Sequence, residues 1–259
     1  MNKAAVLARK DLGSFFRSWF GILLFIFFFL ASGILFSMLV LNYGKLSAEV
    51  LAGRTPAIEG VRLTHFIFGS FFLNLGLVMV FLVPLITMRS FAEERNRQTL
   101  ELLFTYPLSD TEIVWGKYQA LLGFSALLIL PTLGYVALLQ TFGASIDLGP
   151  VLCCYLGLFL LIAAFSAMGL FISSLTENPV ISSLTTFCFL LLLWGLEWMQ
   201  SLSDGRWFGI LNQISPLGHY REFTFGIVDL GHVAYFLFFA LYFLFLTLRS
   251  VESRHWKSP

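Results

Sequence analysis

The sequence predicts an all-α membrane protein with six transmembrane helices, and its composition and the arrangement of its uncharged blocks are the observations that predict it. Of its 259 residues, 58% are hydrophobic and only 12% are charged, against about 25% charged residues in an ordinary soluble domain. A soluble core of this size could not bury so much apolar surface. We therefore expect lipid to be the solvent of most of the chain.

Six uncharged blocks define the predicted spans, because a helix needs about 20 apolar residues to cross a hydrocarbon layer roughly 30 Å thick. They are residues 19–41, 66–88, 118–142, 151–175, 180–196 and 232–248. Six spans leave both termini on one side of the membrane. That side carries eleven of the sixteen Lys and Arg residues. Positive residues are retained in the cytoplasm, so both termini are expected to be cytoplasmic.

The segment before the first span, residues 1–18, predicts an amphipathic helix that lies in the interfacial layer of the membrane. Its apolar residues recur at three- and four-residue spacing: Ala5, Ala8, Leu12, Phe15, Phe16 and Trp19. Lys3, Lys10 and Arg17 form a separate basic series. A cleaved secretory signal is not expected, because the apolar run that follows is longer than a signal core and no small-x-small site follows it.

The loop at residues 89–117, between the second and third spans, predicts an ordered helix over residues 90–104. Ser90 and Glu93 have the spacing of a capping box, in which each side chain satisfies a free backbone N–H at the helix start. Glu93 and Arg97 are four residues apart with opposite charge, a pairing that contributes about 0.2 to 0.5 kcal/mol. This much local order favours a docking element over a merely solvated loop, although both interpretations fit the charge pattern.

The same loop predicts a sharp corner after that helix. Pro107 ends the helix, because the residue before a proline is disfavoured in helical geometry. Ser109 and Glu112 then form a second capping box, which begins the helix of the third span.

The segment at residues 197–231 predicts one or two short helices that either lie at the outer interface of the membrane or re-enter it. Ser215 and Pro216 favour a helix start, Gly226 a helix end, and Asp229 a cap for the last span.

Three charged residues of the outer side have open interpretations. Arg221 and Glu222 could pair, line an exit path or face water. Glu197, near the outer end of the fifth span, is either a functional intramembrane carboxylate or a side chain that reaches the surface.

Enzymatic, metal-binding and nucleic-acid-binding functions lack their sequence patterns. The net charge is +1, and Cys153, Cys154 and Cys188 do not form a Cys-x-x-Cys pair. Neither a His-Glu-x-x-His nor a Gly-x-Ser-x-Gly motif occurs. We predict no catalytic or metal site in this chain, and no nucleic-acid partner.

Two segments resemble a known family. The loop runs Phe91-Ala-Glu-Glu-Arg, Thr99-Leu-Glu-Leu-Leu, Pro107-Leu-Ser-Asp and Gly116-Lys117, and it resembles the coupling loop of type-2 ATP-binding cassette (ABC) exporter permeases. The stretch from Ser215 to Asp229, with residues 246–254, is similar to the gliding-motility and nitrous-oxide-reductase maturation permeases. Gln98 stands where glycine is common in the family, and it is expected only to stiffen the helix, since glycine costs about 1 kcal/mol in a helix interior.

The resemblance implies a single permease domain over residues 1–259 in the bacterial inner membrane, with the helix of the loop acting as a coupling helix. A cytoplasmic ABC ATPase would dock on it. The matching residues are Phe91, Glu93, Glu94, Arg95, Thr99, Leu100, Glu101 and Leu103. The chain has no G-x-x-x-x-G-K-[ST] phosphate loop, so ATP and Mg²⁺ would be bound by the separate ATPase and this chain would bind no cofactor.

The resemblance also implies a second permease copy or a related permease, with a pathway lined by the second and fifth spans. The polar residues available there are Asn74, Ser182, Ser183, Thr185, Thr186 and Glu197. Pro84 in the second span is a candidate hinge. Two alternatives stay open, namely a scaffold that transmits ATPase motion to a periplasmic protein, and a secondary carrier or channel. The carrier would show an inverted repeat or paired charges at membrane depth, and we find neither.

Overall fold

A computed structural model describes residues 3–52, 65–99, 108–143, 146–200, 213 and 215–255, and the regular elements in these ranges are all helical. Six of the helical stretches are long and apolar enough to cross a membrane, which confirms the predicted fold class. They are Trp19–Val50, His65–Asn96, Asp110–Thr141, Leu148–Leu175, Pro179–Leu196 and Leu230–Ser253. Six alternating spans place both chain ends on one side of the membrane, which we call the terminal side. The opposite side is the far side.

Ten α-helices follow one another within the described residues. They are α1 (Lys3–Arg17), α2 (Trp19–Leu51), α3 (Ser70–Thr87), α4 (Ala92–Asn96), α5 (Asp110–Ile129), α6 (Leu133–Thr141), α7 (Leu148–Leu175), α8 (Pro179–Gln200), α9 (Pro216–Thr224) and α10 (Leu230–His255). A π-helical turn, His65–Gly69, leads into α3, and a 3-10 turn, Leu130–Thr132, joins α5 to α6. Helix α2 continues to Leu51, ten residues beyond the limit at residue 41 that was predicted for the first span.

Helix α7 is the central helix of the bundle and packs against α3, α8, α9 and α10. Two of its glycines make close approach possible. A Cβ atom at Gly169 would lie 2.4 Å from Oγ1 of Thr87 on α3, and one at Gly157 would lie 2.4 Å from Cβ of Phe223 on α9. Gly157 and Gly169 therefore let α7 approach α9 and α3 closely.

Helix α1 packs along α5 between Gly116 and Phe124, and only part of its predicted apolar series takes part in the contact. Ala4, Leu7 and Phe15 are buried, and the Phe15 ring stacks on Phe124 at 4.8 Å. Of the predicted apolar series, Ala5, Phe16 and Trp19 are exposed and make no part of this contact, and the location of the helix in the interfacial layer stays a prediction. The residues counted as one stripe span two faces of the helix, and only the face nearer residues 4 and 7 meets α5.

Helix α9 inserts among α3, α7, α8 and α10 near the far side. The side chain of Tyr220 is fully buried, and its hydroxyl donates a hydrogen bond of 2.6 Å to the Phe72 carbonyl on α3. The predicted limits of this helix are confirmed: Ser215 and Pro216 begin it, and Gly226, at φ +79°, follows its end.

Candidate functional site

A buried lysine joins three separate segments on the terminal side. Lys117, on α5, is 2% exposed. Its Nζ donates a hydrogen bond of 2.7 Å to the Ser90 carbonyl and lies 2.7 Å from Oε2 of Glu94 on α4. Oδ2 of Asp11 on α1 is 3.5 Å away. We call these four residues, Asp11, Ser90, Glu94 and Lys117, the lysine cluster.

The lysine cluster compensates a charge that would be costly by itself. Transfer of an ammonium group out of water costs several kcal/mol unless opposite charge and hydrogen bonds replace the solvent. Here Lys117 meets two carboxylates and a carbonyl, and the Phe91 ring centroid lies 5.1 Å from Nζ. The position of α4 is therefore tied energetically to α1 and α5.

Arg89 makes a second set of contacts beside the lysine cluster. Its Nε donates to Oε2 of Glu93 at 2.6 Å, and its Nη1 donates to Oγ of Ser18 at 2.7 Å. Ser18 is the residue where α1 ends and α2 begins. Glu93 also lies 2.7 Å from Nη2 of Arg97, which confirms the predicted pair. The Arg89 contacts thus connect α4 to the corner between α1 and α2.

The start of α4 is capped from the central helix. Oγ of Ser173, on α7, accepts hydrogen bonds from the backbone N–H groups of Phe91 at 3.1 Å and Ala92 at 3.0 Å. The predicted capping box of Ser90 and Glu93 is therefore wrong. The free N–H groups find their acceptor on another helix, and this leaves the Glu93 carboxylate for Arg89.

The predicted continuous helix over residues 90–104 is also wrong, because α4 ends at Asn96. Gln98 adopts φ +57°, and the Thr99 N–H donates to the Glu94 carbonyl at 2.9 Å. The Gln98 N–H donates to the Arg95 carbonyl at 2.8 Å, so the pattern is that of a Schellman helix end. The left-handed position explains why glycine suits this site, and Gln98 does not stiffen the helix.

The second predicted capping box is confirmed. The Ser109 N–H donates to Oε2 of Glu112 at 2.9 Å, and the Glu112 N–H donates to Oγ of Ser109 at 3.3 Å. Helix α5 therefore has a defined start two turns before Lys117.

The structure divides the predicted docking residues into two groups. Phe91 is buried, Glu93 is paired with Arg89, and Glu94 is paired with Lys117. Arg95 is half-buried and Thr99 is exposed. Leu100, Glu101 and Leu103, like Pro107, lie outside the described residues.

The predicted pathway residues are not brought into one site. Ser182 and Thr186 are fully buried on one side of α8, where Oγ1 of Thr186 donates to the Ser182 carbonyl at 2.8 Å. Ser183 lies with Pro84 in an apolar groove of about 420 Å³ between α2, α3 and α8.

The other three pathway residues lie elsewhere. Asn74 donates to the Ser70 carbonyl at 2.8 Å near the far side. Thr185 is half-buried on α8. Glu197 belongs to α8, and its side chain lies outside the described part of the structure.

On the far side, Asp229 caps α10 as predicted, since its Oδ1 accepts from the Gly231 N–H at 2.9 Å. The Arg221 guanidinium lies 5.9 Å from the Phe225 ring, and Glu222 is half-buried.

Sequence reasoning missed a histidine pair on the far side. The Nδ1 atoms of His219 and His232 lie 2.6 Å apart. The His219 ring stacks on Tyr235 at 4.0 Å. This pair joins α9 to α10, and no spacing in the sequence indicates it.

The fold and the terminal-side contacts define a multi-pass helical membrane protein in which the loop after the second span is fixed to several helices. A family model described as ABC-2 family transporter protein matches residues 60–220, which is more than half of the 259 residues. The chain belongs to this family, and it is a transporter permease subunit. No curated protein matches the chain.

Proposed function

We propose that this chain is the membrane-spanning subunit of an ATP-driven exporter, and that a separate cytoplasmic ATPase docks on the segment that begins at α4. Membership of the ABC-2 family supports the transporter role. The observation that carries the docking proposal is the lysine cluster, because it fixes α4 to α1 and α5 through a buried charge. A loop that only connected two spans would not require this fixation.

The contacts around α4 provide a route for mechanical coupling. A displacement of α4 acts on the α1–α2 corner through Arg89, on α5 through Lys117 and on α7 through Ser173. Packed elements move as units because close-packed interiors resist deformation. Motion of the docked ATPase would therefore reach four helices of the permease together.

The remaining parts of the proposal follow from the predicted topology and from the family resemblance. The terminal side is the cytoplasmic side of a bacterial inner membrane, and ATP and Mg²⁺ bind to the ATPase. Two permeases, either two copies or this chain with a related one, form the pathway. The gliding-motility and nitrous-oxide-reductase maturation permeases are the proposed subgroup.

One observation favours a second candidate, a scaffold that moves a periplasmic protein without transporting a cargo. Helix α3 leads directly to Arg89 on the terminal side, and its Phe72 carbonyl accepts the Tyr220 hydrogen bond near the far side. Motion of α4 could therefore reach the far-side helix α9 through α3, the helix that contains the candidate hinge Pro84. Transport of a cargo into sealed vesicles would exclude this alternative.

Co-purification with the candidate ATPase, followed by an ATP hydrolysis assay in lipid, tests the docking proposal. Leu100→Asp should reduce complex formation, and Glu94→Gln should reduce the stimulation of hydrolysis by the permease. Glu49→Gln, which removes the same charge as Glu94→Gln at an exposed site on α2, is the matched control for that variant. If both loop variants bind and stimulate the ATPase like the unmodified chain, docking on this segment is refuted.

A further inference from the structure

A groove of about 1020 Å³ runs along α1 on the terminal side, on the face of α1 opposite its contact with α5. Five of its lining side chains are cationic. They are Arg9, Lys10, Arg17, Arg89 and Arg97. No Asp or Glu is found among the described residues that line this groove. We call it the basic groove.

The positive charge of the basic groove is only partly balanced by the protein. Arg89 and Arg97 share the carboxylate of Glu93. Arg9, Lys10 and Arg17 are exposed, and within the described ranges none of them forms an ion pair with a carboxylate. An anion bound between them would reduce the repulsion of these like charges.

The basic groove adjoins apolar surface of the kind that faces lipid. Val6 lines the groove and is exposed. Phe16 and Trp19 are also exposed, Trp19 to 86%, and the exposed apolar face of α2 begins at Ile22. Tryptophan is enriched where the headgroups of a bilayer meet water. The groove therefore opens at the depth of the headgroups. An acidic segment of a soluble protein would not require the exposed apolar surface beside the groove.

We propose that the basic groove binds the phosphate-bearing headgroup of an anionic phospholipid. Arginine side chains such as Arg9 and Arg17 suit a phosphate because the planar guanidinium donates two parallel hydrogen bonds. The acyl chains would lie along Val6, Trp19 and the exposed face of α2. The groove shares Arg89 and Arg97 with the contacts around α4, and its occupation by lipid would add a lipid requirement to the permease.

Lipid binding to the full-length chain in detergent, measured by native mass spectrometry, tests the proposal. The added probes are phosphatidylglycerol, phosphatidylcholine with the same acyl chains, and inorganic phosphate. The groove variant carries Arg9→Gln and Arg17→Gln. The control variant carries Lys3→Gln and Lys45→Gln, which remove the same charge at sites that do not line the groove. Thermal unfolding of both variants checks that they are folded.

We expect the groove variant to bind phosphatidylglycerol roughly 25-fold more weakly, about fivefold for each basic residue removed near an anionic headgroup. The control variant should bind it like the unmodified chain, and phosphatidylcholine should bind weakly to all three proteins. An equal loss in both variants, or equal binding of the two lipids, would overturn the proposal. So would displacement of the lipid by an equal concentration of phosphate. If the groove variant loses ATPase binding and retains lipid binding, the groove is a protein interface and the lipid proposal is wrong.

Discussion

Lys117 is the residue on which the geometry of the terminal side depends most. Replacement by methionine removes the ammonium group and leaves Glu94 and Asp11 facing each other without a cation. We expect Lys117→Met to destabilise the protein by about 3 kcal/mol, the lower end of the cost of breaking a buried ion pair. Thermal or denaturant unfolding in detergent measures this change.

The double variant Lys117→Met with Glu94→Gln is the control for that loss. Replacing both members of a buried pair with neutral groups is often close to neutral, so part of the lost stability should return. If the double variant loses as much stability as the two single variants lose together, the two side chains do not interact.

Gln98 gives a second prediction at this scale, because an L-residue in the left-handed region is strained relative to glycine. Gln98→Gly should raise stability by up to about 1 kcal/mol, and the β-branched Gln98→Val should lower it by at least as much. Both changes are measured by thermal unfolding. Equal unfolding temperatures for the glycine and valine variants would contradict the left-handed conformation.

Short-range pairs around α4 and α5 could be predicted from the sequence, and long-range ones could not. Glu93 with Arg97 and Ser109 with Glu112 are three or four residues apart, a spacing that helical geometry brings together. The Arg89–Ser18 contact spans 71 residues and the Phe91–Ser173 contact spans 82. These partners are chosen by helix packing, which no local pattern encodes. The predicted cap at Ser90 failed for this reason.

At the scale of elements, α1 shows that periodicity alone does not tell which apolar residues pack against protein. Its apolar residues cover two faces, one against α5 and one exposed next to the basic groove. Either face of α1 has enough small and apolar residues to pack against another helix. The partner helix α5 determines which face packs, because Gly116 has no side chain and lets Ala4 and Leu7 approach α5 closely.

Gly116 accordingly gives a prediction about the contact between α1 and α5. A Cβ atom there would lie 2.9 Å from the Ala4 carbonyl oxygen and 3.1 Å from Leu7. Gly116→Ala should cost about 1 to 3 kcal/mol, as overpacking does, and should increase proteolytic cleavage within α1. Limited proteolysis and thermal unfolding report the two effects.

Gly123 is the matched control on the same helix. A Cβ atom there has only ordinary contacts with Leu12, at 3.6 Å or more, so Gly123→Ala should be tolerated. If the two alanine variants unfold and are cleaved alike, the close approach at Gly116 is not what holds α1 in place.

At the scale of the whole molecule, the six spans were predictable because bilayer thickness sets the length of an uncharged block independently of the packing. The arrangement of the spans was not. The central place of α7 depends on Gly157 and Gly169 meeting Phe223 and Thr87, and glycine at such spacing is common by chance. The sequence predicted a short helix at the position of α9 but not its contacts, since nothing near Tyr220 in the sequence identifies Phe72 as its partner.

The proposed coupling gives a prediction about the assembled transporter. Arg89→Lys keeps the charge but loses the planar group that contacts Ser18 and Glu93 together. We expect the variant to bind the ATPase normally and to lose much of the permease-dependent stimulation of hydrolysis. Parallel co-purification and hydrolysis assays in lipid separate the two effects, with Arg249→Lys as the control. Full stimulation by Arg89→Lys would show that motion does not pass through this contact.

The Ser173 hydroxyl places a limit on exchanging parts between permeases. The loop at residues 89–117 looks like a module that could be grafted to change which ATPase a permease recognises. Its first turn, however, is capped by a side chain 82 residues away, and its lysine is paired with Asp11 near the N-terminus. A chimaera that transplants only the loop would lack both groups, so a working graft must carry positions 11 and 173 along with it.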